Sequence, residues 1–361
     1  MWHSFLIKRV IEKNSVQFME NRCLRLRNKH STCERCLDAC GAPAISLLEG
    51  EISFDDTTCT NCRICVHECP TNAFYHEYEM MNHYEQKIIY KEVVCFTCEE
   101  QGNYDKDVTL PCIASLTPEM IMNGILHEKK IQVFWDERKC HSCKHYWFQK
   151  GKLEWLHAWN EKAIPKERVE IIHERKEKAG SKRKVTRREM FSFSKQKATN
   201  SVASIALDTV ENIPSIRNKI PISEKRNVLV AYKKKKELSM EMLKTVAKEI
   251  HLGNVNVTDN CNLCGVCCTV CPTGALNQYE DEKKKTMTFQ GYLCVDCNSC
   301  TTSCMQIRKS SFICDDFDQE KIVREEQLDT CPQCTSLKIK SECYCEDCQI
   351  KFSKKDLLKN W

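Results

Sequence analysis

The amino-acid sequence predicts an α+β protein composed of several small units. Cysteine makes up 28 of the 361 residues, and its layout between positions 23 and 69 is repeated between positions 261 and 304. Between these two blocks, short strand and helix patterns follow one another in the order typical of a parallel sheet. Two further C-x-x-C pairs lie near the end of the chain. We therefore expect two related cysteine-rich modules, a small parallel α/β domain between them and a metal-binding tail.

The composition argues against membrane insertion and gives little support for nucleic-acid binding. The hydrophobic fraction is 42%, and no apolar stretch approaches the roughly 20 residues of a spanning helix. The first residues lack the layout of a signal peptide. Basic residues exceed acidic ones by only 55 to 50, so nucleic acid is not an expected partner. We expect a cytoplasmic protein whose cysteines bind metal rather than form the disulfides of small secreted domains.

Five units are predicted from the cysteine blocks and from the segment that separates them. Residues 161–200 are dense in Lys, Arg and Glu, which indicates a solvated helix or a disordered connector. Apolar patterns predict a strand at 227–232 and an amphipathic helix at 240–251, which lead into the second module. The predicted units are a first cysteine-rich module (1–85), a small α/β domain (86–160), a charged linker (161–225), a second cysteine-rich module (226–320) and a tail (321–361).

Three cysteine runs have the spacing C-x-x-C-x-x-C-x-x-x-C, and in two of them Pro follows the last cysteine. This spacing resembles that of bacterial two-cluster ferredoxins, in which three thiolates bind one [4Fe–4S] cube and the fourth binds the neighbouring cube. Zinc sites instead use two separated pairs of ligands, so they explain these runs poorly. The runs are Cys59, Cys62, Cys65 and Cys69; Cys261, Cys264, Cys267 and Cys271; and Cys294, Cys297, Cys300 and Cys304.

The resemblance to two-cluster ferredoxins implies a small α+β fold with pseudo-twofold symmetry and exchanged fourth ligands. Strand patterns at 286–289 and at 51–54 fit the hairpin of that family. The implied ligand sets of the second module are Cys261, Cys264 and Cys267 with Cys304, and Cys294, Cys297 and Cys300 with Cys271.

The opening run of the first module departs from the family pattern. It contains Cys33, Cys36 and Cys40, but His30 stands where the first cysteine is expected. Cys23, ten residues before Cys33, is the favoured substitute because a thiolate suits an iron–sulfur cube better than imidazole does. His30 and a three-iron cluster are the alternatives. The implied sets are Cys59, Cys62 and Cys65 with Cys40, and Cys33 and Cys36 with Cys69.

Five cysteines are distributed along the predicted α/β domain. Strand patterns at 87–94, 108–110 and 131–135 and a helix pattern at 118–126 indicate a parallel β-α-β arrangement. Strand ends meet at one edge of a parallel sheet, so cysteines that follow strands are expected to converge there. Those expected to follow strands are Cys95, Cys112 and Cys140, and their C-x-x-C partners are Cys98 and Cys143.

The stretch from Cys95 to the sequence CHSCKHY resembles the delta subunit of methyl-viologen-reducing hydrogenase. That resemblance implies a [2Fe–2S] cluster bound by four of the five cysteines. The alternative is a structural zinc bound by the two C-x-x-C pairs, with Cys112 buried and inert.

The tail resembles a zinc ribbon, because two C-x-x-C pairs can supply the four thiolates of a closed tetrahedral site. A rubredoxin-like iron is the alternative. No role is assigned to Cys268, Cys314 or Cys343. The paired cysteines of the tail are Cys331, Cys334, Cys345 and Cys348.

About four cubes in one chain predict electron relay without intrinsic catalysis. The sequence has no Walker loop, dinucleotide fingerprint or radical-initiating cysteine run. The expected partner is a separate oxidoreductase, such as a hydrogenase, a formate dehydrogenase or another molybdenum enzyme. The alternatives are a redox-sensing regulator that uses the zinc ribbon and the basic linker, and an enzyme that uses Cys112.

Overall fold

The computed structural model divides the chain into two compact units, which we describe separately. The first unit comprises residues 1–26, 34–218 and 222–250, and the second comprises 27–33, 219–221 and 251–361. The residues that the structure describes are 15–28, 31–76, 81–101, 107–143, 145, 156, 168–174, 219–223, 225–234, 244, 246–247, 249–310, 317–345 and 347–352.

The first unit begins with a strand, helices, a hairpin, a further helix and a closing strand. The outer strands pair antiparallel, with Phe18 opposite Phe74, and the hairpin strand predicted at 51–54 is confirmed. Phe74 is almost fully buried, stacks on Phe18 and meets Phe54 edge to face, so aromatic packing closes this module. The elements are β1 (Gln17–Phe18), α1 (Leu24–Arg27), α2 (Arg35–Ala39), β2 (Ile45–Leu48), β3 (Glu51–Phe54), α3 (Ile64–Glu68) and β4 (Phe74–Tyr75).

A four-stranded parallel sheet follows in the same unit, which confirms the predicted parallel α/β arrangement. The strand order is β6-β5-β7-β8, and every neighbouring pair is parallel. Helix α5 is buried along its whole length, and its first turn is capped by the Thr117 side chain. The elements are α4 (Met81–Ile88), β5 (Val93–Cys98), β6 (Asp107–Leu110), α5 (Pro118–Leu126), β7 (Lys130–Phe134), α6 (Glu137–His141) and β8 (Val169–Ile172).

The strand predicted at 87–94 is wrong except at its last two residues, because helix α4 continues to Ile88 and a turn follows it. Tyr84 and Ile88, four residues apart, are both buried. That spacing places them on one face of a helix, so Ile88 belongs to a helical pattern rather than to a strand. Strand β5 begins only at Val93.

Strand β8 lies in the segment for which the sequence predicted a solvated helix or disordered connector. Val169 is buried and is paired with Ile131 of the neighbouring strand. The surrounding Lys and Glu residues, together with Glu170 within the strand itself, concealed this four-residue segment, which adds an edge strand to the parallel sheet.

The strand predicted at 227–232 is also wrong, because Lys225–Lys234 forms a helix, α7. Val228 and Leu229 are buried, and α7 contacts α5. A short apolar run does not distinguish a strand from a buried helix. Here the packing of the run against α5 favours the helix. Of the described positions in the helix predicted at 240–251, residues 244, 246, 247 and 249 are helical, whereas 250 and 251 form a turn.

The second unit repeats the order of the first module: a strand, a helix, a hairpin, a helix and a closing strand. Its outer strands pair antiparallel, and the strand predicted at 286–289 lies within β11. Leu263, Leu276, Met287 and Phe289 form the fully buried part of its core. A long strand, β13, extends the hairpin sheet in the order β10-β11-β13-β14. The elements are β9 (Val255–Val257), α8 (Val266–Val270), β10 (Leu276–Glu280), β11 (Lys284–Gln290), α9 (Ser299–Ser303), β12 (Ile307–Lys309), β13 (Glu320–Thr330) and β14 (Leu337–Ile339).

Within the described part of the chain, no helix combines the length and apolar character needed to cross a bilayer.

The packing of α5 on β7 depends on Gly124, because a Cβ atom there would overlap the Ile131 side chain. We expect Gly124→Ala to lower the free energy of unfolding by about 1–3 kcal/mol through overpacking, less the roughly 1 kcal/mol that alanine adds to helix stability. In an Ile131→Val background, which lacks the overlapping methyl group, the same substitution should cost much less. Urea unfolding of the four proteins of this cycle measures the difference, and equal costs in both backgrounds would contradict the assigned contact.

Candidate metal centres

All the described cysteines are free thiols rather than disulfides, and most of them gather in a few places. Cys314 and His30 lie outside the described residues. The structure therefore allows each predicted ligand set to be compared with the thiols that lie together.

The three runs with ferredoxin spacing share one backbone conformation. In each run, the residues on both sides of the second cysteine have positive φ angles, a conformation that residues other than Gly, Asn and Asp rarely adopt. This conformation turns the chain sharply between successive thiols. The flanking residues are Asn61 and Arg63, Leu263 and Gly265, and Asp296 and Asn298.

In the second unit, the thiols meet in the exchanged pattern that the resemblance implies. Burial raises the pKa of the Cys261 thiol, and the nearby thiols of Cys267, Cys304 and Cys264 raise it further. Burial likewise raises the pKa of Cys300 to about 12, with contributions from the neighbouring residues Cys294, Cys271 and Cys297. One cavity is lined by Cys271, Cys294, Cys297 and Cys300.

The first module shows the same exchange for one of its two sets. Burial raises the pKa of Cys65 strongly, and the thiols of Cys62, Cys59 and Cys40 add to this effect. The same four thiols line one small cavity. Cys40 therefore lies with the second run of this module.

The other set of the first module is partly assembled around Cys69. Burial raises the pKa of Cys23, and the nearby Cys69 thiol raises it further, so the structure brings these two residues together. Cys36 packs against the same core. Cys33 lies in the segment 27–33, which belongs to the second unit, and its N–H donates to Ser31 Oγ at 3.4 Å. Its place beside Cys36 stays a prediction.

Backbone N–H groups donate to several of these sulfur atoms. The N–H of Ala73 lies 3.1 Å from Cys69 Sγ, and that of Asn61 lies 3.4 Å from Cys59 Sγ. Such bonds stabilise negative charge on a thiolate and shift the reduction potential of a cluster that it binds.

In the α/β domain, four of the five cysteines line one cavity at the carboxyl edge of the sheet. Cys98 ends β5, Cys112 follows β6, and Cys140 and Cys143 follow β7. Gln101 supports the site, because its Nε2 donates to Cys140 Sγ at 3.5 Å and to the Asp136 carbonyl at 3.0 Å.

The expectation that Cys95 follows a strand is wrong, because β5 begins later than predicted and Cys95 lies inside it. Side chains alternate along a strand, so Cys95 and Cys98 point to opposite faces. Cys95 is absent from the residues that line the cavity, whereas the buried Cys112 is among them. The arrangement of two C-x-x-C pairs with Cys112 apart therefore does not describe this site.

Sequence reasoning missed His145, a buried residue that lines the same cavity. Its backbone N–H donates to Cys143 Sγ at 3.4 Å, and its Nδ1 lies 3.5 Å from Thr60 Oγ1. The sequence CHSCKHY contains this histidine two residues after the predicted ligand Cys143. That proximity could have indicated that His145 lies at the site.

The four paired thiols of the tail lie within 4.8 Å of one another, and Cys343 is outside the group. Cys334 Sγ and Cys345 Sγ are 3.3 Å apart. Burial acts to raise the pKa of Cys331, but backbone N–H donors, including that of Cys345, outweigh it and lower the pKa to about 6. Four thiols at such distances fit a closed tetrahedral site for zinc or iron.

Lys219 caps the helix that carries Cys267 and Cys268. Its Nζ donates to the carbonyl oxygens of Cys271 at 2.8 Å, Cys268 at 3.0 Å and Thr269 at 3.4 Å. A cation at a helix C-terminus satisfies carbonyls that have no partner within the helix. Cys268 itself forms a side-chain hydrogen bond that raises the pKa of Cys267.

Comparison with protein families matches residues 52–75 to the 4Fe-4S binding domain. The match supports a [4Fe–4S] cluster here. It covers the run from Cys59 to Cys69 and indicates iron–sulfur electron transfer. No curated protein and no solved structure matches the chain.

Because Lys219 holds three carbonyl groups at the end of α8, Lys219→Met should loosen this helix. We expect a local loss of about 1 kcal/mol, which hydrogen exchange followed by mass spectrometry would show as faster exchange at 266–271. Lys285→Met is a matched control, because it removes an ion pair with Glu280 away from α8 and should leave exchange at 266–271 unchanged. Equal exchange in both variants would contradict the capping role.

Proposed function

We propose that this chain is an electron-transfer protein that relays electrons through several [4Fe–4S] clusters to or from a partner oxidoreductase. The observation that carries this proposal is the exchanged grouping of thiols, in which the last cysteine of one run lies with the first three of the other. Two-cluster ferredoxins use this arrangement, and a set of independent zinc sites does not require it.

Four cubes follow from the grouping and the predicted sets, two in each ferredoxin module. The donor chemistry fits, because thiolates are the preferred ligands of iron–sulfur clusters and all the proposed ligands are thiols. We define cube 1 by Cys23, Cys33, Cys36 and Cys69; cube 2 by Cys40, Cys59, Cys62 and Cys65; cube 3 by Cys261, Cys264, Cys267 and Cys304; and cube 4 by Cys271, Cys294, Cys297 and Cys300.

The α/β domain is proposed to bind a [2Fe–2S] cluster, as the resemblance to the hydrogenase delta subunit implies. We call this site the middle centre and define it by Cys98, Cys112, Cys140 and Cys143. A ligand set with only one C-x-x-C pair departs from the spacing of a zinc knuckle, and this favours the cluster over zinc.

The tail is proposed to bind structural zinc through its four paired thiols, which would hold a short segment that has little apolar core of its own. The protein is proposed to act in the cytoplasm, where free thiols at this density stay reduced. Its partner is proposed to be a hydrogenase, a formate dehydrogenase or another molybdenum enzyme.

A cluster supplies one-electron redox chemistry when it is bound, and the chain supplies the environment. Side chains such as Phe289 and Ile64 are fully buried near the thiols and exclude water. Backbone N–H groups directed at sulfur then act in a medium of low dielectric constant, where their effect on a reduction potential is larger.

Anaerobically prepared protein should contain about sixteen iron atoms from four cubes and about two more from the middle centre, together with one zinc. Metal analysis measures these amounts, and electron paramagnetic resonance (EPR) after dithionite reduction distinguishes the cluster types. Cys297→Ser should lower the iron content, whereas Cys343→Ser, which changes an exposed cysteine outside every group, should not. A colourless protein that contains only zinc after anaerobic reconstitution would refute the relay.

The middle centre provides a matched pair of substitutions within one strand. Cys98→Ser should remove about two iron atoms and the [2Fe–2S] signal, because it deletes a thiolate that lines the cavity. Cys95→Ser, three residues earlier, should retain both. Loss of the signal in both variants, or in Cys95→Ser alone, would contradict the assigned ligand set.

A further inference from the structure

An apolar cluster joins the first ferredoxin module to the α/β domain inside the first unit. It contains the buried residues Ala39, Ile64, Cys112 and Ala114, and Cys62 packs against it. Cys62 is a proposed ligand of cube 2, and Cys112 is a proposed ligand of the middle centre. The two sites therefore border on the same few side chains.

Polar and backbone contacts hold the same two loops together. Thr60, which lies between two ligands of cube 2, is 3.5 Å from the His145 ring of the middle site. Helix α3 contacts the turn Ile113–Ser115, which directly follows Cys112. The helix contact belongs to the apolar cluster, the Thr60–His145 contact is separate from it, and both bring cube 2 and the middle centre side by side.

Electron exchange between two clusters falls steeply with their separation and is favoured by a dry, closely packed medium. The residues between these sites meet that requirement, because Ile64 is 2% exposed and Cys112 is 1% exposed. The ligands of cube 2 are therefore placed both to hold that cube and to contact the next site.

We propose that this chain passes single electrons directly between the middle centre and cube 2 across the cluster formed by Cys62 and Cys112 with their apolar neighbours. The proposal rests on the proposed function and adds an order to it: middle centre, cube 2, cube 1. One electron leaves the middle centre, which is oxidised, and enters cube 2, which is reduced, or the reverse. No bond forms or breaks, and no proton is released. The partner oxidoreductase supplies or removes the electron.

The test uses the full-length protein, reduced stepwise with dithionite and followed by EPR spectroscopy. The spin relaxation of the middle centre should become faster when cube 2 is reduced, because two paramagnetic sites in such contact couple magnetically. A Cys59→Ser/Cys65→Ser variant removes two ligands of cube 2, leaves Cys62 in place and should restore slow relaxation. The matched Cys294→Ser/Cys300→Ser variant removes the equivalent ligands of cube 4 and should keep the relaxation fast.

The possible failures of this test can be told apart. If the cube 2 variant does not fold, the wild-type titration decides alone, and a middle-centre relaxation that stays constant through full reduction overturns the direct exchange. Zinc in the middle site together with iron in the cubes overturns this inference and leaves the relay intact. Absence of iron–sulfur clusters from the whole chain contradicts the proposed function itself.

Discussion

In the three runs with ferredoxin spacing, the residues on both sides of the second cysteine have a left-handed backbone conformation. The rest of this structure depends on that constraint. It turns each loop so that three thiols separated by two residues can approach one point. Asn, Asp and Gly occupy several of these positions, although Arg63 and Leu263 adopt the same conformation. In the opening run of the first module, Glu34 has a φ of −129° at the corresponding position instead, so among the described residues that module has only one loop of this kind. Conformation and ligand count thus depart from the ferredoxin pattern at the same place.

Bringing the thiols together is unfavourable until something binds them. Burial and mutual repulsion raise the pKa of Cys65, Cys261 and Cys300, so these sulfur atoms are protonated before a cluster binds. Binding of a cluster must displace those protons, and the binding energy then stabilises loops that contain few other contacts. The proposed clusters would couple folding to cluster insertion in both modules for this reason.

Local features could be predicted from the sequence, whereas features decided by packing could not. The spacing from Cys261 to Cys271 predicts its loop and helix because ligand geometry acts over a few residues. The exchange of Cys40 and Cys271 was also foreseen, through the resemblance to ferredoxins. Strand β8 and helix α7 were missed because their short apolar runs take their conformation from the sheet and from α5. For the same reason, β5 was predicted to end at residue 94, whereas it ends at Cys98. Cys95 was therefore expected at the sheet edge, where Cys98 lies.

Strand β13 has a consequence for the integrity of the second unit. It ends at Thr330, directly before Cys331, and its residues 320–327 pair with β11. Without it, β11 would present an open row of amide and carbonyl groups, the kind of border at which polypeptides associate into aggregates. A metal bound by the four tail thiols would therefore fix the end of β13, and without that metal the edge of β11 would be open to association with other chains.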